Sequence, residues 1–254
     1  MSGPEDQSWA ALLAGRAEGP LAGLFAPCLA PPPGPDGCLV IGRLAQTLDG
    51  RIATRNGSSQ WIGGPADLVH THRLRALCDV VLVGAATVAA DDPQLTTRLV
   101  PGPDPVRVIL DTRQELPPER RVFQGGPRTI LAVAADAARG TRHGSAEILP
   151  IPRCGEGRLD LPALLAALAA QGLRRIFVEG GGVTVSRFLI AGLLDRLHVT
   201  VAPIILGSGR PAFALPEALR ISDGLKLSWT CHDIAPDVLF DMAVNRARPP
   251  MVCL

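Results

Sequence analysis

Tyrosine is absent from this sequence, and aromatic residues make up only 4% of its 254 positions. Proteins that stack on bases need such rings, so the composition weakens a nucleic-acid reading. An excess of charge is missing too. The net charge is +1, which leaves no basic footprint for nucleic acid and calls for no acidic partner. No apolar run approaches the roughly 18 residues that cross a bilayer, so no membrane association is expected. The N-terminus, MSGPEDQSW, lacks a basic stretch ahead of an apolar one, so a secretory signal is not expected either. Six cysteines are scattered with no C-x-x-C pair. They read as reduced thiols of a cytoplasmic protein.

Several chemistries lack their motifs. There is no G-x-S-x-G elbow for a nucleophilic serine. The zinc-deaminase pattern H-x-E with a later P-C-x-x-C is missing. His70 and His72 lie two apart on an expected helix and cannot share a face, so they make no zinc site. Asp91 and Asp92 have no third ligand near them in sequence, and no metal is expected. Neither G-x-G-x-x-G nor a Walker A loop occurs.

What remains is a chain with 47% hydrophobic and 19% charged residues, ordinary for a folded domain and large enough for a real core. Residues 1–37 read as an N-terminal extension. It holds one or two short helices followed by the Pro/Gly-rich stretch Ala30 to Gly37, which suits neither a helix nor a central strand. The main domain is placed at 38–254. Strands are predicted over Cys38–Leu48, Asp79–Val88, Val106–Asp111, Thr129–Ala134, Ala146–Ile151, the RRIFVEG stretch, Arg196–Leu206 and around a proline turn in Cys231–Val244. Helices are predicted over Ala66–Cys78, Leu161–Gly172 and from Gly182 onward. Leu68, Val69, His72, Leu74 and Leu77 supply the helical spacing of the first. Alternating strands and helices imply an α/β domain with a mostly parallel sheet, and the closing strands an antiparallel edge.

Glu179 ends an apolar strand, and Gly180, Gly181 and Gly182 follow it before a helix. Glycines there let a phosphate approach the backbone, and the helix start offers free N–H groups. A strand-to-helix turn without a ligand is the alternative. Trp61 is either a cover for a ring near the sheet mouth or a plug over the core. Arg75 and Arg98 are candidates for a phosphate, since guanidinium presents a planar fork.

In order along the chain, LDGRIA, SQWIG, LRA, T-x-x-x-DDPQLTTR, RVILD, VEGGG and APIILGSG resemble the reductase domain of riboflavin biosynthesis, the C-terminal half of the bifunctional deaminase–reductase. The resemblance runs from about Cys38 to Val244. It implies a dihydrofolate-reductase-like, three-layer α/β fold with helices on both faces of the sheet, and a homodimer. It implies NADPH-dependent reduction of the ribosyl group of a 5-amino-6-(5-phosphoribosylamino)uracil-type pyrimidine, or its diaminopyrimidine counterpart, to ribityl. Cofactor contacts are expected at Ala45, Trp61, Thr87, Asp91, Thr112, Gly181, Gly182, Val183, Thr184, Val185, Ser186 and Arg187. Substrate contacts are expected at Ser59, Arg75, Leu95, Arg98, Glu179 and Arg43. Arg75, Arg98 and Ser59 would hold the 5′-phosphate. Glu179 or Asp91 would stabilise positive charge at the sugar, and Thr112 with Arg113 would read the cofactor's 2′-phosphate. Arg43 stands where the family commonly has lysine, and no deaminase half accompanies the motifs. Rival expectations are a paralogous reductase of a pterin, dihydrofolate-like or other substrate, and a non-catalytic nucleotide-binding subunit.

Overall fold

A computed structural model describes residues 3–32, 36–60, 62–155, 157–244 and 246. In chain order the helices are α1 (Pro4–Leu13), α2 (Ala22–Leu29), α3 (Pro65–Leu77), α4 (Ala85–Asp91), α5 (Leu161–Ala169) and α6 (Gly182–Ile190). The strands are β1 (Leu39–Thr47), β2 (Arg51–Thr54), β3 (Val80–Gly84), β4 (Val106–Leu110), β5 (Thr129–Ala134), β6 (Arg142–His143) and β7 (Ala146–Ile151). They continue with β8 (Arg175–Glu179), β9 (Arg196–Ala202), β10 (Gly209–Pro211), β11 (Ser228–Ile234) and β12 (Asp237–Ala243).

Ten strands form one sheet in the order β11-β12-β9-β1-β8-β3-β4-β5-β7-β6. From β9 to β7 every neighbouring pair is parallel, while β11 and β12 close one edge antiparallel, as expected. The β6–β7 hairpin at the other edge and the small β2–β10 sheet were not anticipated. Central strands need apolar residues on both faces. Val80, Val81, Leu82 and Val83 of β3 are accordingly all buried. Val40 and Leu44 of β1 pack with Leu164, Leu168 and Phe188 of α5 and α6. Leu39 and Ile41 face the opposite layer with Trp9, Phe25 and Leu74.

Two strand boundaries differ from expectation. The strand placed at Asp79–Val88 ends at Gly84, and its Thr-Val tail is helical in α4; the last ladder pair on this strand is Gly84 with Leu110, beyond which β-branching has no partner to serve. The strand placed at Arg196–Leu206 stops at Ala202, where Pro203 removes the next backbone donor. The helices of the extension pack on the domain. Trp9, Leu12, Phe25 and Cys28 are buried in the core shared with β1, β3 and α3. Arg175 on β8 donates to the Cys28 and Leu29 carbonyls, each at 3.2 Å. With few aromatics in the chain, the rings of the extension are needed to cover this face. Residues 33–35 of the expected linker lie outside the described residues.

Candidate active site

The chain leaves β1 for β3 and skips the position between them that β8 later fills. The carboxyl ends of β1, β8 and β3 therefore sit side by side, the arrangement in which open α/β sheets bind ligands. Residues of one parity on β1, β8, β9 and β12 face α3. At these ends they are polar: Arg43, Glu179, His198, Thr200 and Asp241.

Helix α3 meets them with a polar face. Asp67, His70, Thr71 and Arg75 are buried beside Leu74, whereas Leu68 is among the exposed apolar residues. Apolar spacing therefore gave the helix but misplaced its inner face. Arg43 is ion-paired with Asp67, whose other oxygen accepts from the Thr200 hydroxyl at 2.6 Å. His70 Nε2 lies 3.1 Å from His198 Nδ1. His198 Nε2 lies 3.1 Å from Asp241 Oδ1, off the line of a good hydrogen bond. Burial pushes His70 and His198 below the ordinary imidazole value. Burial alone would raise Asp241, but His198 and Arg196 outweigh it and hold the carboxyl low.

Glu179 and Arg75, both expected at the substrate, are paired with each other. Arg75 Nε and Nη2 donate to the two carboxylate oxygens at 2.7 and 2.6 Å. The forks match, which makes this a strong charge-assisted pair. Burial by itself would raise Glu179; Arg75, with Arg43 adding, holds it below its ordinary value, so it is ionised. The third donor of Arg75 binds the Thr96 carbonyl at 2.8 Å.

That contact brings in the loop of Arg98. This side chain is exposed, donates to Thr96 Oγ1 at 2.9 Å, and pairs with no carboxylate among the described residues. Partial burial, and then the repulsion of Arg75 and Arg121, lower its pKa. Arg98 and Arg121 thus form a cationic patch beside the neutralised Arg75. Sequence reasoning missed Arg121, because its place depends on the long connection after β4. Leu95 was expected at the substrate, but its side chain is 1% exposed and belongs to the core, with φ of 57°. Ser59 is half-buried in the loop after β2.

The expected cofactor residues divide. α4 and α6 start side by side from the adjacent strands β3 and β8. Gly180 and Gly181 have φ of 61° and 65°, a backbone that side chains resist. A Cβ on Gly181 would stand 3.0 Å from the Thr87 hydroxyl, and one on Gly84 2.7 Å from the Thr184 hydroxyl. Small residues and hydroxyls thus come together where α4 and α6 begin, and helix N–H groups at such a start suit a diphosphate. Val183 is exposed there. The rest of the run turns away. Val185 packs into the core, Ser186 accepts from the Ala214 N–H at 2.9 Å, and Arg187 donates to the Leu159 carbonyl at 3.1 Å. Ala45 is half-buried on β1 opposite Thr200. Thr112 is half-buried after β4, and Arg113 is exposed 3.7 Å from Glu115. Asp91 ends α4, and burial raises its pKa. Trp61 lies outside the described residues.

Comparison with known proteins bears on the family and the fold. The family model "RibD C-terminal domain" matches residues 39–236. The 2,5-diamino-6-ribosylamino-4(3H)-pyrimidinone 5′-phosphate reductase of Methanothermobacter thermautotrophicus is 39% identical over 187 residues, covering 72% of this chain and 86% of its own. The enzyme of the same name from Archaeoglobus fulgidus is 33% identical, covering 66% of this chain and 81% of its own. Among solved structures, the Thermotoga maritima diaminohydroxyphosphoribosylaminopyrimidine deaminase/5-amino-6-(5-phosphoribosylamino)uracil reductase superposes with a TM-score of 0.70 at 30% identity. The match covers 82% of this chain and 56% of that one, so the chain spans little more than half of the bifunctional protein. The dihydrofolate-reductase-like α/β fold expected from the motifs is the fold of these reductase domains.

Proposed function

The chain belongs to the RibD C-terminal domain family, and from that premise we propose that it is an NADPH-dependent reductase of a 5′-phosphorylated ribosylaminopyrimidine, converting the ribosyl group to ribityl in riboflavin biosynthesis. The 2,5-diaminopyrimidinone is the first substrate to test, because the two archaeal relatives that match over most of their length carry its name. The 5-amino uracil form is the second. The observation that carries the reading is an ionised carboxylate, Glu179, fixed by two hydrogen bonds at the tip of β8 beside Gly180 and Gly181.

The bound nicotinamide supplies the hydride. The protein's part is positioning and electrostatics. Gly181 and Gly182, with the Thr87 and Thr184 hydroxyls, would receive the cofactor's diphosphate at the start of α6. Opening the sugar to accept a hydride at C1′ builds positive charge there. A carboxylate already ionised stabilises that charge without a proton transfer. Glu179 is held in that state by Arg75. Arg98 offers the substrate's phosphate a cation with no carboxylate partner among the described residues, next to Arg121. Arg43 is tied to Asp67, so its guanidinium is oriented rather than free. Thr112 and Arg113 at the end of β4 are the candidates for the cofactor's 2′-phosphate.

The reading includes a cytoplasmic homodimer. No helix among the described residues is long and apolar enough to cross a membrane. Support for pairing comes from β11, the outer strand of the sheet, on which Trp229 is 60% exposed. The test of activity follows NADPH absorbance with the two phosphosugar pyrimidines and dihydrofolate in parallel. Turnover on a phosphosugar that Arg98→Glu abolishes supports the proposal. Turnover on dihydrofolate alone overturns it.

A further inference from the structure

Arg98 sits in the loop between α4 and β4, and residues 96–101 of that loop are held from outside by Arg75, His72 and Trp9. Arg75 binds the Thr96 carbonyl at 2.8 Å. His72 Nδ1 accepts the Arg98 N–H at 2.8 Å, with the Leu99 N–H at 3.4 Å. The Trp9 indole N–H donates to the Pro101 carbonyl at 2.9 Å. Inside the loop, the Thr97 N–H donates to Asp104 at 2.6 Å and closes a short turn. His72 and Trp9 thus grip the backbone on both sides of the Arg98 side chain.

The two gripping residues are themselves connected. The guanidinium of Arg73, next to His72 on α3, lies 5.6 Å from the centroid of the Trp9 ring and bonds Glu5 at 2.6 Å. Trp9 belongs to α1, which lies outside the residues matched by the family model. To accept from Arg98, His72 must be neutral. The charged groups facing it are Arg75 on its own helix, Arg98 and Asp104 from the loop, and Glu179 from β8. Burial first, then the two arginines, disfavour its protonation.

We propose that His72 and Trp9 are positioning residues that hold the Arg98 loop ready for the substrate's phosphate, which makes the N-terminal helices part of the substrate site. The proposal rests on Arg98 binding that phosphate. It deepens that reading by saying what orders the loop before substrate arrives.

The test is a set of double-mutant cycles on the full chain, with KM for the phosphosugar, KM for NADPH and kcat measured separately. Trp9→Phe keeps a ring against Arg73 and loses only the indole donor. His72→Leu removes the acceptor, and His72→Asn returns one. We expect Trp9→Phe and His72→Leu each to raise the phosphosugar KM about threefold to tenfold, the worth of one hydrogen bond. NADPH KM and kcat stay within about twofold on the same scale, and His72→Asn recovers most of the loss. In an Arg98→Ala background both effects vanish, because the group they position is gone. If Arg98→Ala raises KM but the His72 and Trp9 effects persist undiminished on top of it, the positioning proposal is overturned and the phosphate reading survives. If Arg98→Ala leaves KM unchanged, the phosphate reading itself fails, and the proposal falls with it.

Discussion

Replacing Glu179 by glutamine separates charge from shape at the centre of the site. The carboxylate accepts from Arg75 through both oxygens, and its side chain is only 15% exposed. A unit charge about 4 Å away, at an effective dielectric near 20, is worth about 4 kcal/mol. A half-developed charge at the sugar halves that. The bidentate arginine, which offsets part of the negative field, halves it again. About 1 kcal/mol of transition-state stabilisation remains, or roughly a fivefold to tenfold fall in kcat on Glu179→Gln. The stability cost is larger. Arg75 would stay buried with one neutral acceptor where it had an anion, and breaking a buried pair from one side costs about 3–5 kcal/mol. The assays are single-turnover NADPH oxidation at saturating substrate and urea unfolding of the same preparation. A large loss of stability with a small loss of kcat is the expected signature. An unchanged kcat with raised KM would refute the electrostatic role and leave Glu179 as a binding group. A fall in kcat beyond about 10³-fold would mean that Glu179 does more than stabilise charge through space, since it exceeds what the whole unscreened interaction supplies.

Stability should also depend on pH through His72. Burial, with Arg75 and Arg98 beside it, brings this histidine from 6.5 to about 4. Unfolded, it takes up a proton below about 6.5; folded, it does not until about 4, so the unfolded state holds more protons between these values. The folded state is therefore fully favoured above the upper value and weakens as pH falls through the window. His72→Asn flattens that slope in chemical unfolding followed against pH, and an unaltered slope would count against a neutral buried imidazole. Phe25→Ala should cost about 3–5 kcal/mol, as for other fully buried rings, because Phe25 is 0% exposed and edges on Trp9 at 6.1 Å. A loss under about 1 kcal/mol would show that the helices of the extension are not core. Gly182→Ala places a Cβ 2.3 Å from the Ala212 carbonyl oxygen, so the loop after β10 must shift. NADPH titration should show weaker binding, and unchanged affinity would place the cofactor elsewhere.

Much of this protein is legible in its sequence, for reasons that are local. A run such as Val80 to Val83 is apolar at every position, and only a strand covered on both faces uses such a run throughout its length. Glycines after Glu179 mark a backbone with positive φ, which few other residues tolerate. The motif order identified the family, because each motif is short and contiguous. The packing of the extension is not legible for the opposite reason: Trp9 and Phe25 find their partners on α3 and at Pro101, far along the chain. The inner face of α3 escaped for a related cause. Hydrophobic spacing locates a buried face only when burial is apolar, whereas Asp67, His70 and Arg75 are buried against Arg43, His198 and Glu179.

The sequence by itself determined the alternation of strands and helices, the glycines after Glu179 and the reductase motifs, since all of these depend on neighbours a few residues apart. Tertiary structure alone decided that Glu179 meets Arg75 across 104 residues, that His72 holds the Arg98 backbone, and that Trp9 of α1 reaches the Pro101 carbonyl of the same loop. Charges and hydrogen bonds act through space, and the strand order that brings these groups together is set by packing across the whole sheet.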